Sequence, residues 1–223
     1  MGLFSKKGVS HEGKSLAKWI QKLIDAGTGP EAKRVEGIIA NQLAKQDSVA
    51  VVSRLNDIIG DNVYTPRMRR RAAHTLGLAI SHGNVESNSG LSALGNLAAA
   101  LKDADAEFCK DLLFTIDQLG SDALSTMPIV VGTMKRIPDE SVQATACRIL
   151  GHFGDGSRAA VPLIANVLRD ASDWEARSIA AEALGKIGPA AADAVPTLKN
   201  ALKDESGDVC MNAKEALSRI TSA

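Results

Sequence analysis

Aromatic residues are scarce in this chain of 223 residues. Phe, Trp and Tyr together make up 3% of it, and it has a single tyrosine. Sandwiches and barrels rely on aromatic and β-branched side chains to pack their pleated surfaces, so this scarcity argues against an all-β fold. The sequence is instead rich in Ala and Leu, which are strong helix formers. The composition therefore predicts an all-α protein.

The sequence also lacks net charge, paired cysteines and long apolar runs. Its 26 basic residues balance 26 acidic ones, whereas nucleic-acid binding usually needs a positive excess, so no nucleic-acid partner is expected. Cys109, Cys147 and Cys210 lie far apart, which fits a reducing compartment and predicts a cytoplasmic protein. No segment approaches the ~20 apolar residues of a membrane span, so stable membrane insertion is not expected.

Recognisable catalytic and metal-binding motifs are absent as well. The sequence contains no GxxxxGK[ST] phosphate loop, no GxSxG nucleophile turn and no HExxH zinc motif. We therefore predict no catalytic residue, no metal ligand and no cofactor. Binding, rather than catalysis, is the expected mode of action.

An internal repeat of about 34 residues is present instead. Three markers recur at this spacing: an aspartate before an apolar segment, a glycine after it and a proline further on. The aspartates fit helix N-caps, the glycines fit the left-handed residue that ends a helix, and the prolines fit the first turn of a second helix. The three sets are Asp105, Asp139 and Asp173; Gly120, Gly154 and Gly188; and Pro128, Pro162 and Pro196.

Apolar residues follow the same period. Leu150 and Leu184 share one column of the repeat, and Ala146 and Ala180 share another column four residues earlier. The first helix of each unit thus carries an apolar stripe, which one helix pair cannot bury alone. The predicted fold is a right-handed α-solenoid of stacked antiparallel helix pairs.

Residues 174–204 carry the clearest copy of the repeat, with WEARSIAAEALGKIG followed by AVPTLKNALKD. This pattern resembles the short HEAT-like repeat of phycobilisome lyases. Arg177 stands where that repeat carries an arginine early in its first helix, and Arg69 stands at the corresponding place upstream. The resemblance covers 139–221 and, with fewer matches, 66–138. It implies a solenoid that binds another protein on its concave helix surface.

A single helical-repeat domain is predicted over residues 14–223. Within it, 14–65 form a divergent N-terminal cap and pair, and 66–223 form the regular repeats. Residues 1–13 are predicted to be a mobile tail. Residues 81–90 are expected to form a polar loop, and 91–102 the second helix of a pair.

A cluster of arginines at the start of a predicted helix is the first candidate for binding a partner. The positive helix dipole there makes each exposed cation unfavourable by ~0.3–1 kcal/mol. The cluster is either neutralised internally, by Asp57, Asp61 or the acidic residues at 103–111, or it binds an acidic protein surface. Its members are Arg67, Arg69, Arg70 and Arg71.

The concave surface formed by the second helices is the second candidate. Trp174, at the start of a predicted helix, either anchors a partner or covers the junction between helix pairs. Residues with reactive side chains fall into ordinary columns of the repeat: Cys147 in the core, Cys109 at a partly exposed position and His152 at a solvated one. The polar residues expected on the concave surface are Thr133, Asn166, Arg169, Asn200 and Lys203.

The sequence therefore predicts a non-catalytic scaffold that binds another protein with an acidic surface. Two alternatives stay open. The resemblance implies a bilin-lyase-like enzyme or chaperone acting on a client protein, although few aromatic residues are available to hold a tetrapyrrole. A HEAT-like protein that acts on DNA would need a basic groove with aromatic and acidic residues.

Overall fold

A computed structural model describes residues 10–11, 14–26, 29–85 and 87–222 of the chain. These residues are predominantly helical, and the predicted all-α solenoid fold is confirmed. One short antiparallel pair of strands, Ser10–His11 and Lys14–Ser15, precedes the first helix. The rest of the predicted tail lies outside the described residues. The chain divides into two compact units, Met1–Asp103 and Ala104–Ala223.

The first unit contains the divergent helices. A π-helical segment, Ile39–Leu43, joins its second and third helices into one rod. The unit buries Trp19, Leu43, Leu55 and Leu76 completely. Its helices are α1 Leu16–Asp25, α2 Pro30–Ile38, α3 Ala44–Gln46, α4 Ser48–Gly60, α5 Pro66–Ser81, α6 Ser87–Leu91 and α7 Leu94–Leu101.

The prediction of a loop over 81–90 is wrong in part. Residues from Ser87 onward form the short helix α6, and the next helix begins at Leu94 instead of residue 91. The N–H groups of Ser92 and Ala93 donate to carbonyls three residues earlier and close tight turns between the two helices. The segment thus satisfies its backbone locally despite its polar composition.

The second unit consists of helix pairs in register with the 34-residue period. We call the first helix of each pair the A helix and the second the B helix. Seven-residue 3₁₀ segments, Gly120–Thr126, Gly154–Ala160 and Gly188–Ala194, connect A to B. The A helices are α8 Ala106–Gln118, α10 Glu140–His152, α12 Trp174–Ile187 and α14 Gly207–Thr221; the B helices are α9 Met127–Arg136, α11 Val161–Asp170 and α13 Val195–Ala201.

The three sequence markers have the predicted conformations. The repeated prolines lie in the first turn of each B helix. Ser206 occupies the cap position of α14, but its side chain makes no capping bond, and its own N–H donates to Asp204 at 2.9 Å. The glycines Gly120, Gly154 and Gly188 have φ of 59°, 58° and 71°. The aspartates Asp105, Asp139 and Asp173 accept hydrogen bonds from the N–H groups of Phe108, Val142 and Glu175.

Two glycines allow successive A helices to approach closely. A Cβ atom on Gly151 would lie 2.9 Å from the Cα of Ala183, and one on Gly185 would lie 2.9 Å from the Cα of Ala216. Both distances are shorter than atomic contact allows. The same column of the repeat holds Asp117 in α8, whose carboxylate instead pairs with side chains of α10.

Candidate functional site

Arg71, in the predicted arginine cluster, is anchored inside the first unit. It is 9% exposed. Its Nε donates to Oε1 of Glu36 at 3.2 Å, and its Nη1 donates to the carbonyl of Ala26 at 2.6 Å. The guanidinium therefore joins α5 to α2 and to the end of α1. The prediction that Arg71 belongs to a surface patch is wrong, because its helical phase directs it into this junction.

Neighbouring arginines also contact the backbone of their own unit. The Nη2 of Arg67 lies 3.5 Å from the carbonyl of Ala26, one helical turn before Arg71. Arg69 donates to the carbonyl of Ile59 and to Oδ1 of Asn62, each at 2.8 Å. Hydrogen bonds within the unit thus involve three members of the cluster, and the carboxylate beside Arg71 is Glu36, which was not among the acidic residues expected. Partner binding by Arg67, Arg69 and Arg70, which are exposed or half-buried, stays a prediction.

Arg177 and Asp204 form a partly buried ion pair at the end of a helix pair in the second unit. The Nε and Nη2 of Arg177 donate to the two carboxylate oxygens of Asp204 at 2.8 and 3.0 Å. Its Nη1 donates to the carbonyls of Ala171 and Ser172. These bonds hold the pKa of the Asp204 carboxyl below its ordinary value. The arginine that the repeat pattern singles out is therefore a structural anchor.

Cys109 is fully buried, which corrects the expectation that it is partly exposed. The guanidinium of Arg136 covers it, with Nη2 at 3.5 Å from Sγ. Burial raises the pKa of the Cys109 thiol, and it raises that of Cys147 to about 12. Neither thiol is therefore activated as a nucleophile.

His152 belongs to a chain of polar contacts across three A helices, which the column comparison did not predict. Its Nδ1 lies 2.9 Å from Oδ1 of the buried Asp117, and Arg148 donates to the other oxygen of that carboxylate. The Nε2 that a catalytic dyad would present to a nucleophile faces the ammonium of Lys186 at 3.3 Å. This geometry favours helix packing over catalysis. No cluster of metal-ligating side chains occurs within the described ranges.

The B-helix face carries two rows of aligned residues. The basic row consists of Lys135, Arg169 and Lys203, which are exposed and spaced by 34 residues. Beside it, Asn166 and Asn200 are also exposed and form the amide row. Arg169 donates to Oδ1 of Asn166 at 2.8 Å, so the two rows are in contact.

Thr133 does not belong to this surface. It is 1% exposed, and its hydroxyl donates to the carbonyl of Ile129 within the same helix. The residue that aligns with Asn166 and Asn200 in the repeat is Gly132. Thr133 comes one residue later, so it points to a different side of the helix. The expectation for Thr133 is therefore wrong.

Two grooves lie along this part of the second unit. The first, of about 390 Å³ between α11 and α13, is lined by Arg169, Thr197, Asn200 and Glu205, among others. The second, a shallow and wide-open groove of about 410 Å³, is lined by Trp174, Glu205, Ser206 and Asp208. Trp174 is 44% exposed. Because Glu205 lines both grooves, they are adjacent.

The candidate residues thus divide between two parts of the chain. Asn166, Arg169, Asn200 and Lys203 share the B-helix face, and Trp174 lines the neighbouring groove. The arginines at 67–71 belong to the first unit. Sequence reasoning missed Lys135, although its spacing of 34 from Arg169 could have identified it. It also missed Glu205, which lies in a loop outside the helical columns.

Residues 128–218 match the family model of HEAT repeats, which agrees with the repeat resemblance; the phycobilisome-lyase subtype stays a prediction. No curated protein matches the chain. An engineered protein of known crystal structure is similar in fold, with a TM-score of 0.69 and 20% identity over 92% of this chain and 96% of that one. Human deoxyhypusine hydroxylase in complex with glycerol gives a TM-score of 0.43 at 17% identity, over 92% and 89%.

A chain from a structural study of microtubule plus-end tracking by XMAP215, CLIP-170 and EB1 superposes with a TM-score of 0.47. The two sequences are 16% identical, and the match covers 92% of this chain and 91% of that one. At these identities, the likeness to the engineered protein establishes the fold. Among the helices that the structure describes, none is both long and apolar enough to cross a membrane.

Proposed function

We propose that this protein is a binding scaffold whose second unit holds an acidic segment of another protein on its B-helix face. The observation that carries the proposal is the basic row of Lys135, Arg169 and Lys203, which repeats every 34 residues and contributes Arg169 to a groove of about 390 Å³. A row of exposed cations attracts carboxylates, and guanidinium groups bind them in bidentate fashion.

The amide row suggests how the backbone of such a segment is held. The carboxamides of Asn166 and Asn200 each carry a donor group and an acceptor oxygen, which match the two polar groups of a peptide unit. The Asn166 oxygen has a second lone pair besides the one that accepts from Arg169. Packed helices lie ~8–10 Å apart, and an extended chain rises ~3.3 Å per residue. One amide per repeat would therefore meet about every third residue of an extended segment that crosses the B helices.

Helix dipoles alone are the simplest competing explanation for the basic row. A cation in the last turn of a helix is stabilising, and Lys135 and Arg169 occupy that turn. The dipole does not account for the asparagines at the same register of successive repeats or for the adjoining groove. Because Arg169 is bound to Asp170 at 2.8 Å, an acidic ligand must displace that carboxylate.

The alternatives expected from the sequence receive less support. A tetrapyrrole or single-stranded DNA is usually held by several aromatic side chains, and in the described part of the second unit Trp174 is the only exposed aromatic residue. We also propose a cytoplasmic location, because Cys109, Cys147 and Cys210 are all free thiols.

The proposal is tested with a fluorescent, glutamate-rich unstructured peptide and its glutamine counterpart. Fluorescence anisotropy should show salt-sensitive binding of the glutamate peptide by the wild type. The variant Lys135→Glu/Arg169→Glu/Lys203→Glu should bind at least roughly tenfold more weakly, since three attractive pairs become repulsive. Circular dichroism should show unchanged helix content.

The matched control is Lys33→Glu/Arg158→Glu/Lys214→Glu, which changes the net charge equally at exposed positions outside the face. It should keep binding within about twofold of the wild type, as the loss is local. Equal losses in both variants would show attraction to overall charge alone. Absence of binding by the folded wild type, or equal binding of the glutamine peptide, would contradict the proposal.

A further inference from the structure

Trp174 replaces a residue that ties successive repeats together. The corresponding residue of the preceding repeat is Glu140, whose carboxylate accepts bonds from the N–H and hydroxyl of Ser172 and from the N–H of Asp173, at 2.8–2.9 Å. An indole can donate one hydrogen bond but has no oxygen to accept any. Trp174 therefore cannot repeat this arrangement, and the groove of about 410 Å³ lies beside it.

The lining of this groove combines an aromatic ring with carboxylates. We name it the Trp174 groove, formed by Trp174, Glu205, Ser206 and Asp208. The Glu205 side chain is 86% exposed and lies 3.3 Å from Nη2 of Arg177. Because Arg177 already makes a bidentate pair with Asp204, the exposed Glu205 carboxylate keeps most of its capacity to accept hydrogen bonds.

The charge and the ring together define the ligand. Carboxylates repel an anion and are costly to cover with a purely apolar group, whereas a tryptophan face attracts a cation. We infer that the Trp174 groove binds a cationic side chain, arginine or lysine, of a protein partner. The inference deepens the proposed function and rests on it in taking the ligand to be a protein.

The two adjoining grooves constrain the sequence of that partner. Arg169 of the basic row lines the groove between α11 and α13, and this groove meets the Trp174 groove at Glu205. A partner segment whose acidic residues contact Arg169 can therefore place a basic residue against the ring of Trp174. The helix dipole is a competing explanation for the carboxylates of this groove. It favours Asp208, which lies in the first turn of α14. It does not explain Glu205, which precedes the helix.

The test follows the indole N–H resonance of Trp174 while an acetylated, amidated Gly-Arg-Gly peptide is added. The neutral analogue Gly-citrulline-Gly has nearly the same shape without the charge. The arginine peptide should shift the Trp174 resonance saturably and bind at least fivefold more tightly than the analogue. The resonance of Trp19, which is fully buried in the first unit, is the internal reference and should not move.

Two variants with the same charge change separate the groove from overall electrostatics. Glu205→Gln/Asp208→Asn should weaken binding of the arginine peptide about three- to tenfold, as two exposed charge contacts are lost. Asp122→Asn/Asp155→Asn alters exposed residues in the 3₁₀ segments and should leave binding unchanged. Trp174→Leu, monitored by backbone amide shifts at 205–208, should also weaken it.

The outcomes distinguish this inference from the proposed function. If the glutamate-rich peptide binds but the arginine peptide leaves Trp174 unshifted, the inference is overturned and the proposed function stands. Equal binding of the citrulline analogue, or an equal loss in both double variants, also overturns it. If the arginine peptide binds as expected while the glutamate-rich peptide does not, the groove is a cation site and the acidic-segment proposal fails.

Discussion

Single residues of the second unit show how one structural contact can be made by two different routes. Arg177, in an A helix, donates to the carbonyl of Ser172. Arg136, at the end of a B helix, donates to the carbonyl of Ala104, which occupies the same place in the repeat two periods earlier. Where the arginine comes from the B helix, the A helix supplies the small residue Cys109 and leaves room for it. These two repeats thus place a guanidinium at the same position from different helices.

The Arg177–Asp204 pair predicts a pH dependence. The folded-state pKa of Asp204 is lowered, and that of an unfolded aspartate is about 3.9. The pair therefore contributes fully above about pH 4, and its contribution is lost as the pH falls through the folded value. Asp204→Asn should lower the free energy of unfolding at neutral pH by about 1–2 kcal/mol, because the arginine loses a charged partner but keeps its bonds to the carbonyls of Ala171 and Ser172. The difference from the wild type should narrow in acid.

Urea unfolding followed by circular dichroism, from neutral pH down to about pH 2.5, measures that difference. Asp170→Asn is the control, since Asp170 pairs with Arg169 on the open surface and its loss should have a smaller effect. A destabilisation by Asp204→Asn that stays constant across the pH range would mean that the charge of Asp204 contributes nothing.

At the scale of helices, the close packing of A helices predicts that Gly→Ala substitutions change stability in opposite directions, depending on the position of the glycine. Gly151→Ala and Gly185→Ala each place a methyl group 2.9 Å from a backbone Cα of the next A helix. Overpacking costs about 1–3 kcal/mol, which exceeds the gain in helix propensity of up to ~1 kcal/mol. Both variants should therefore be less stable than the wild type by roughly 1–2 kcal/mol.

Gly132→Ala provides the matched comparison. Gly132 lies inside α9, and a Cβ atom there would meet nothing within 4 Å. The same substitution should stabilise the protein by about 0.5–1 kcal/mol through helix propensity alone. Urea midpoints of the three variants, compared at equal slope, give the signs. If all three substitutions stabilise the protein, neighbouring A helices can move apart to accept a methyl group without a loss of free energy.

Helix ends and the repeat period could be predicted because their causes are local. Asp139, Gly154 and Pro162 act on backbone groups within a few residues, so their spacing is enough to identify the caps, the stop and the next start. The small α6 helix was missed because its Ser and Asn residues suit turns as well as helices. Local chemistry therefore specifies the elements but not every boundary.

Side-chain contacts between helices could not be predicted from the aligned positions of the repeat. Arg71 reads as one more exposed arginine, but it bonds to Glu36 and Ala26 in segments far away in sequence. Asp117 occupies a column in which later repeats have glycine, and this difference gives no indication that His152 and Arg148 surround it. The candidate site shows the same division: the aligned helical residues were identified, whereas Glu205 in a loop was not.

At the scale of the whole molecule, the division into two units makes the second unit a candidate for independent folding. In repeat proteins each pair packs on its neighbours, so stability is built up within a contiguous array. Ala104–Ala223 contains three complete helix pairs and the terminal A helix α14.

Residues 104–223 expressed alone should therefore be helical and unfold cooperatively. Because the basic and amide rows lie entirely in this unit, the fragment should bind the glutamate-rich peptide within about twofold of the full chain. Circular dichroism during urea unfolding and peptide anisotropy measure the two properties on one sample. A fragment that is helical but unfolds without a cooperative transition would show that the array needs residues 1–103 for stability. A cooperative fragment that has lost the peptide would show that the first unit contributes to binding, and the arginines at 67, 69 and 70 would then be the residues to substitute first.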